Sequence, residues 1–424
     1  MHATLNIAIA ACLFTATVHA QPSWDEVEQI VQQEVDAGFS GAVLLVRDGE
    51  VVLDKGYGFA DRAQEIPNTP DTIFALGSTP IDFTHVAILQ LLHQGKLRLD
   101  DPITAYFDQI EGEHGAITID MLRTGRSGLP DFPNIPGIDE DPDHSPLSRE
   151  ELIERTAAAE LLFEPGSGEA HSHFAWGVLA AIVEVVSGQT YPEYIREHVL
   201  RPADMTRTGF HGDRFPGETV AIGYGAHTWG TINSPEHWGE TSWLVMGSGG
   251  MVGTTGDLHK FTQAIEDGTL IPARVRHHFP RDSVTLNGNR YGFQTAYNTG
   301  IENLFFINCN SADIMNGYSI ADFARTLEDL CFDLPTPNFS IGIAFGINEN
   351  DQLFAHEVFP GTPAQRAGLK RGDLLLAANG VRFDIADPLE TIRPSIDEGQ
   401  TLNLRIRRDG KLMTITIEPA QVDN

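Results

Sequence analysis

The sequence has 424 residues, of which 59 are Asp or Glu and 28 are Lys or Arg, so its formal net charge is −31. With 41% hydrophobic and 21% charged residues, the composition is that of globular domains with a sizeable core, not that of a disordered chain. The acidity argues strongly against nucleic acids and anionic membrane surfaces as partners, because both select basic patches.

The first twenty residues are predicted to be a secretory signal, so we expect an exported protein, periplasmic or secreted. Residues 5–17 are mostly apolar, and Val18-His19-Ala20 ends in a small residue before Gln21. No Lys or Arg precedes the apolar run, so either the start is misassigned or the signal is atypical. The run is too short for a membrane span, and no other stretch is long enough for one.

Secondary-structure patterns then follow in chain order. Apolar periodicity predicts a helix over 25–36, and Asp48-Gly49 between apolar runs predicts a hairpin over 41–59. Further helices are predicted over 81–94, 149–160, 174–187, 256–267 and near 319–330, with a strand over 304–307 before the last of these. Gly95 and Gly188 are expected to end two of the helices. Residues 333–337 contain two prolines and are predicted to be a linker between a first domain, 22–332, and a second, 338–420.

Two cysteines remain after the expected signal cleavage, Cys309 and Cys331. In an oxidising compartment they could pair, and two separate buried thiols are the alternative.

The first domain carries a series of short motifs in a fixed order. They are Gly41-Ala42-Val43, Gly56-Tyr57-Gly58, Leu76-Gly77-Ser78, Ser127-Gly128-Leu129-Pro130, Phe163-Glu164-Pro165-Gly166 and Gly249-Gly250-Met251. This series resembles the serine β-lactamase and penicillin-binding superfamily, most closely its class C-like branch. The resemblance implies an α/β (α+β) fold, with a mixed sheet flanked by helices and an all-helical insertion.

The chemistry that this resemblance implies is acyl transfer by a serine at the start of a buried helix, and here that position is Ser78. The family places a lysine three residues later, where this sequence has Ile81, which can neither accept a proton nor supply a cation. His171-Ser172-His173 stands in place of the family's Tyr-x-Asn. The Lys-x-Gly or His-x-Gly turn is missing, and its nearest remnant near 291–304 is Tyr297-Asn298-Thr299-Gly300.

Each of these positions has an alternative interpretation. Ser78 and Thr79 could cap the helix, since proline and an acid follow as in ordinary helix starts. His171 and His173 could be a replacement base, two metal ligands, or two hydrogen-bonded histidines in a cleft. No cofactor is expected.

The second domain resembles a PDZ domain of the bacterial periplasmic-protease type. The match runs from Pro360-Gly361-Thr362-Pro363-Ala364 through Ala367-Gly368-Leu369 to Gly372-Asp373, before an alternating strand pattern at 402–406. PDZ domains bind extended peptides by strand addition, with a backbone nest for the terminal carboxylate. By resemblance that nest is Ile341-Gly342-Ile343, and the expected partners are peptide or protein C-termini. A domain that only packs on its neighbour is the alternative.

Taken together, these motifs favour an exported binding or scaffolding protein whose first domain has lost normal acyl-transfer capacity. The alternative is an active serine hydrolase of the esterase, D-aminopeptidase or carboxypeptidase type, acting on small esters or D-amino-acid peptides, with Ser78 as nucleophile and His171 or His173 as base. Metal-dependent hydrolysis through the two histidines is a third possibility. A Ser78 hydroxyl within about 3 Å of a histidine nitrogen would favour the hydrolase.

Overall fold

The computed structural model divides the chain into two compact units, Pro22–Phe332 and Asp333–Asn424. Each unit has its own sheet and its own hydrophobic core. The structure describes residues 24–131, 147–225, 228–279, 285–288, 291–298, 303–311, 320, 323–324, 326–327, 339–341, 343–347, 352–358, 362–383, 391–392, 395, 400–408 and 410–421. The predicted signal, the predicted linker and Cys331 lie outside these residues.

The first unit begins with helix α1 (Trp24–Asp36) and the predicted hairpin of β1 (Gly41–Arg47) and β2 (Glu50–Tyr57). The residues between the two strands, Asp48 and Gly49, have φ angles of 51° and 77°. A two-residue turn of the type that matches strand twist needs positive φ at both positions. The hairpin prediction is therefore confirmed.

Eight further strands lie within the described residues of this unit. They are β3 (Phe59–Asp61), β4 (Ile66–Pro67), β5 (Phe74–Ala75), β6 (Gly209–Phe210), β7 (Met251–Gly253), β8 (Thr285–Gly288), β9 (Gln294–Tyr297) and β10 (Leu304–Cys309). The main sheet has five strands in the order β2-β1-β10-β9-β8, and each neighbouring pair is antiparallel. Strand β8 lies at one edge of this sheet.

Within the described residues of this unit, seven helices with defined bounds follow α1. They are α2 (Pro80–His93), α3 (Ile119–Arg123), α4 (Arg149–Ala158), α5 (His173–Ser187), α6 (Tyr191–Ile195), α7 (Thr255–Glu266) and α8 (Ala273–Arg276). The long helices lie within two residues of the predicted ranges, which confirms them. Gly188 ends α5 with φ of 75°, as expected from its place after the apolar run. Of the helix predicted near 319–330, residues 320, 323–324 and 326–327 are described, and all are helical.

Strand β1 is buried on both faces, and this explains why it reads as an unbroken apolar run. Val43 and Leu45 belong to a core shared with α1, while Leu44 and Val46 belong to the larger core around α2 and α5. Successive side chains of a strand point to opposite faces, so the sheet separates two helical layers. The larger layer contains the candidate site.

The second unit is a small, mainly β domain. Its strands are β11 (Phe339–Ser340), β12 (Ile343–Ile347), β13 (Leu353–Val358), β14 (Leu374–Ala378), β15 (Val381–Arg382), β16 (Leu402–Arg408), β17 (Lys411–Ile417) and β18 (Ala420–Gln421). A short helix, α9 (Pro363–Arg366), lies between β13 and β14, and the described residues 391–392 and 395 are also helical. The main sheet has the order β12-β13-β14-β16-β17. Leu402, Leu404 and Ile406 are fully buried while the residues between them are exposed, which confirms the predicted alternation.

Two further observations concern expectations from the sequence. Cys309 is a buried free thiol. Within the described residues, no single helix is long and apolar enough to cross a membrane, although the bent pair of α5 with residues 191–200 reaches that length and composition jointly.

Candidate active site

Ser78 lies two residues before the first residue of α2. The helix begins at Pro80 as the sequence suggests, but the Thr79 side chain does not cap it and instead donates a hydrogen bond to the Leu76 carbonyl at 2.8 Å. The Ser78 hydroxyl lies 3.1 Å from Nε2 of His173. The Ser78 hydroxyl therefore points at a histidine and not at the end of the helix, where the capping interpretation placed it.

His173 is the first residue of α5, and its position is fixed by the start of that helix. Ser172 is the N-cap residue: its hydroxyl accepts a hydrogen bond from the Ala175 backbone N–H and donates one to the Pro130 carbonyl at 2.9 Å. The capping contact and the tie to Pro130 hold the helix start against the loop that contains Ser127–Pro130. The His173 ring then lies between this loop and Ser78.

The next residue of that loop, Asp131, completes the arrangement. Its carboxylate accepts the His173 backbone N–H at 2.9 Å and lies 3.1 Å and 3.3 Å, through its two oxygens, from Nδ1 of the same residue. An ionised carboxylate can only accept hydrogen bonds, so the proton of the neutral imidazole resides on Nδ1. The Nε2 lone pair is then directed at the Ser78 hydroxyl.

The three groups form a hydrogen-bonded chain from Asp131 to His173 to Ser78. Such a chain is recognised by geometry and not by sequence order, and its chemistry is the activation of a serine hydroxyl. The positive end of the α5 dipole favours the charge of Asp131 but opposes a charge on His173. The Asp131 carboxylate therefore offsets the repulsion between the helix dipole and a positively charged His173 ring. With side-chain exposures of 20% for His173 and 27% for Asp131, both groups are partly buried and still reachable by solvent.

Asp131 is the site residue that the sequence analysis did not single out. It directly follows the quoted Ser127-Gly128-Leu129-Pro130 motif, and nothing in its own spacing marks it as a partner of a residue 42 positions later. The sequence offered only an indirect signal for Asp131. A histidine at position 173 that acts as a base needs a carboxylate partner, and the adjacent motif loop is followed by one.

His171 is not part of this chain. It is exposed, and its ring meets the His173 ring edge to face, with centroids 4.5 Å apart and an interplanar angle of 87°. Partial burial against its neighbours lowers the pKa of His171, the adjacent His173 lowers it further, and Asp131 opposes both effects. Of the two histidines named from the sequence, only His173 contacts Ser78. Among the described residues, no group of three His, Cys, Asp or Glu side chains is arranged to hold a metal ion.

Ile81 occupies the first turn of α2, where the family has its lysine. Its side chain is half-buried and packs against the large apolar core of α2 and α5. The position therefore contributes packing to the helix that follows Ser78 and contributes no charge.

The sheet edge differs from the expectation. Residues 291–304 were expected to hold the remnant of the third motif, but Tyr297 ends β9, and the edge strand is β8, Thr285-Leu286-Asn287-Gly288. The segment after Tyr291 forms the inner strands β9 and β10, so the edge falls to the strand before it. That strand carries no Lys, Arg or His. Thr299 and Gly300 lie outside the described residues.

Tyr297 instead serves a buried carboxyl group. Its hydroxyl donates a hydrogen bond of 2.6 Å to Asp82, the neighbour of Ile81 on α2. Burial raises the pKa of Asp82 to about 6, and the hydrogen bond from Tyr297 partly opposes that rise. The pair joins the helix after Ser78 to strand β9.

In the second unit, the predicted nest is only partly described. Ile341 and Ile343 are buried in the domain core, and Gly342 lies outside the described residues. The Ile341 carbonyl accepts the Ala364 backbone N–H at 2.9 Å, which ties this segment to α9. Strand β12, which starts at Ile343, lies at an edge of its sheet. An edge strand has the unpaired backbone groups that strand addition requires.

Comparison with known proteins identifies both units. Residues 27–309 match the sequence profile of the Beta-lactamase family, and residues 340–418 match that of the PDZ domain. The chain belongs to the Beta-lactamase family. Its second unit is a PDZ domain, and the fold class inferred from the sequence is confirmed.

The curated relatives include PbpX of Bacillus subtilis (strain 168), which is named as a penicillin-binding protein and is 32% identical over 246 residues. That match spans 58% of this chain and 60% of PbpX. Protein flp of Staphylococcus aureus (strain MW2) is 29% identical over 210 residues, which span 48% of this chain and 41% of flp. The matched part is thus less than two thirds of either relative.

Solved structures show the same fold at lower identity. FmtA from Staphylococcus aureus superposes with a TM-score of 0.59 at 19% identity, over 74% of this chain and 92% of that one. D-amino acid amidase from Ochrobactrum anthropi SV3, complexed with L-phenylalanine, gives a TM-score of 0.57 at 21% identity, over 72% and 98%. At these identities the likeness concerns the fold alone.

Proposed function

We propose that the first unit is a serine hydrolase in which Ser78 is the nucleophile, His173 the general base, and Asp131 the group that orients and stabilises the histidine. The observation that supports this most directly is the 3.1 Å contact between the Ser78 hydroxyl and His173 Nε2, with Asp131 on the opposite ring nitrogen. The sequence favoured a binding or scaffolding module, and this contact favours the alternative.

The proposed reaction is acyl transfer in two halves. The Ser78 oxygen attacks the carbonyl carbon of an ester while its proton moves to His173 Nε2, and the histidine then gives that proton to the leaving alcohol. Water, deprotonated by the same nitrogen, hydrolyses the acyl-serine and regenerates the hydroxyl. The charge that develops on the carbonyl oxygen needs N–H donors. The Ser78 backbone N–H at the start of α2 makes no hydrogen bond within the described part of the chain and is available as one.

The histidine replaces the role that the family assigns to lysine. Because Ile81 packs into the apolar core, α2 offers no amine to Ser78. A serine hydroxyl without a base is a weak nucleophile, and general-base assistance contributes about 10²–10⁴-fold in rate. His173 lies at the start of a different helix, so the base approaches Ser78 from α5.

We propose that the PDZ domain binds peptide or protein C-termini along the edge strand β12, and that the protein is exported. Strand addition at an exposed sheet edge is the recognition mode of this domain class. Export remains an expectation from the first twenty residues.

Ester turnover with matched variants tests the hydrolase. Purified protein should hydrolyse p-nitrophenyl butyrate, and Ser78→Ala and His173→Gln should each lower kcat/KM by about 10³-fold or more. The controls are Ser167→Ala and His237→Gln, which alter exposed residues of the same types and should leave turnover unchanged. Equal turnover in wild-type and Ser78→Ala protein would refute the proposal and return the binding module to first place.

A further inference from the structure

The charges around Ser78, His173 and Asp131 are unusual for a site that would receive a carboxylate-bearing acyl group. On the two elements where a cation could be expected, Ile81 packs into the apolar core and β8 carries no basic residue. Asp131 is negative and already engaged with His173. Any preference among acyl groups rests on the proposed function, because it concerns which esters this triad receives.

The net charge of residues 1–336, which include the first unit, also disfavours a negatively charged substrate. Residues 337–424 hold 12 acids and 9 bases, so the 336 residues before them hold 47 acids and 19 bases, a net of −28. A field of that sign lowers the local concentration of anions and raises that of cations, with a strength that falls as salt is added.

His171 is the group next to the triad whose charge can change near neutral pH. Its exposed ring contacts His173 edge to face at 4.5 Å, and Glu169 is exposed on the same segment. The charged or titratable groups that act on it are His173 and Asp131. Because the pKa of His171 is lowered from its ordinary value, the ring is neutral at pH 7 and above. Within the described residues its ring nitrogens make no hydrogen bond.

We propose that His171 sets the charge preference of the acyl group. With His171 neutral, the site accepts esters whose acyl group is uncharged and disfavours those whose acyl group carries a carboxylate. A positive charge at this position supplies a counter-ion and relaxes the discrimination. His171 is thus a specificity-determining residue beside the triad and takes no part in proton transfer from Ser78.

Two esters with four-carbon acyl groups and the same leaving group measure this preference. They are p-nitrophenyl butyrate, which is neutral, and mono-p-nitrophenyl succinate, which ends in a carboxylate. The readout is the ratio of their kcat/KM values, because any change in the triad itself affects both esters alike and cancels. Wild-type protein near pH 8 should favour the butyrate, and added salt should reduce the preference.

Variants at position 171 then vary the charge alone. The attraction between a fixed cation and a carboxylate about 5 Å apart, in surroundings between water and a protein surface, corresponds to about a tenfold change in the ratio. His171→Lys should therefore raise the succinate-to-butyrate ratio about tenfold, while His171→Gln and the ring-retaining His171→Phe should leave it near the wild-type value at pH 8. Because the pKa of His171 lies below its ordinary value, the ring gains its charge only in acid, so lowering the pH from 8 to below 6 should raise the ratio in wild-type protein but not in His171→Gln.

The outcomes separate this inference from the proposed function. Suppose that both esters are turned over, that Ser78→Ala abolishes this turnover, and that wild type and His171→Lys give the same ratio. This result refutes the role of His171 and leaves the hydrolase standing. A wild-type preference for the succinate also refutes it. No Ser78-dependent turnover of either ester, in protein shown to be folded, refutes the hydrolase and this inference together.

Discussion

The Asp131 carboxylate makes contacts to both the ring and the backbone of His173, and Asp131→Asn removes its charge while keeping its shape. The asparagine oxygen can still accept the His173 backbone N–H, which lies 2.9 Å from Oδ1. The amide nitrogen takes the Oδ2 position, 3.3 Å from Nδ1, while the amide oxygen stays 3.1 Å from the same ring nitrogen. Because the nitrogen can only donate, it favours the tautomer with the proton on Nε2 in competition with the oxygen. That tautomer cannot accept the Ser78 proton.

The size of the effect follows from the geometry. Charges about 4 Å apart interact by about 4 kcal/mol at the effective dielectric of a protein surface and by about 1 kcal/mol in water. With exposures of 20% and 27%, the pair lies between these limits. Loss of imidazolium stabilisation alone then predicts about 5- to 10³-fold lower kcat/KM, and the tautomer change moves the expectation to the upper end, about 10³-fold.

The assay is hydrolysis of the neutral butyrate ester, with KM and kcat determined separately. KM should change little, because the Asp131 carboxylate is engaged with the backbone and ring of His173, and circular dichroism should show a native fold. Asp100→Asn is the matched control, since Asp100 is 70% exposed and pairs only with Arg98 at the surface. A folded Asp131→Asn protein that keeps a third or more of wild-type kcat/KM would contradict the catalytic interpretation of the contact.

Three further predictions concern stability. Because burial raises the pKa of Asp82 to about 6, ionisation of this group costs folding free energy as pH rises above 4, up to about 3 kcal/mol above pH 6. Asp82→Asn should therefore be more stable than wild type in urea at pH 8 and nearly equal to it at pH 4. A variant that is less stable than wild type at pH 8 would refute this sign. A Cβ on Gly41 would lie 1.9 Å from the Asn308 carbonyl oxygen across the sheet, so Gly41→Ala should lower the free energy of unfolding by about 1–3 kcal/mol. On α7, a Cβ on Gly256 would meet the Thr254 hydroxyl oxygen at 3.9 Å, an ordinary contact, so Gly256→Ala should raise the free energy slightly, and equal midpoints of the two variants would contradict the register. Asp373 is 2% exposed and paired with Arg408, so Asp373→Ala should cost the PDZ domain about 3 kcal/mol and speed hydrogen exchange in β14 and β16, and unchanged exchange would argue against the pair.

The framework of both domains could be predicted from the sequence because local patterns specify it. The Asp48-Gly49 turn, the capped helix ends and the alternation of Leu402, Leu404 and Ile406 are short-range signals that need no knowledge of distant contacts. The edge of the first sheet was misplaced because strand order depends on long-range pairing. Nothing local distinguishes β8 from β9 as the outer strand.

The candidate site was predictable only in part, for the same physical reason. Ser78 and His173 were named from their motif positions, but 95 residues separate them, and the sequence did not show which of the two histidines faces the serine. Asp131 was missed because its role depends on how the start of α5 packs on the 127–131 loop. Helix capping by Ser172 and its hydrogen bond to Pro130 create that contact, and neither is visible as spacing.

The most direct test of the central claim is covalent labelling of the serine. Purified protein would be treated with a fluorophosphonate and, in parallel, with a fluorescent penicillin. The modified peptide would be located by mass spectrometry in wild type, Ser78→Ala and Asp131→Asn. A serine activated by His173 should carry the phosphonate on Ser78, should lose all labelling in Ser78→Ala, and should label far more slowly in Asp131→Asn. No phosphonate on Ser78 of folded wild-type protein, or equal labelling of Ser78→Ala, would contradict the account.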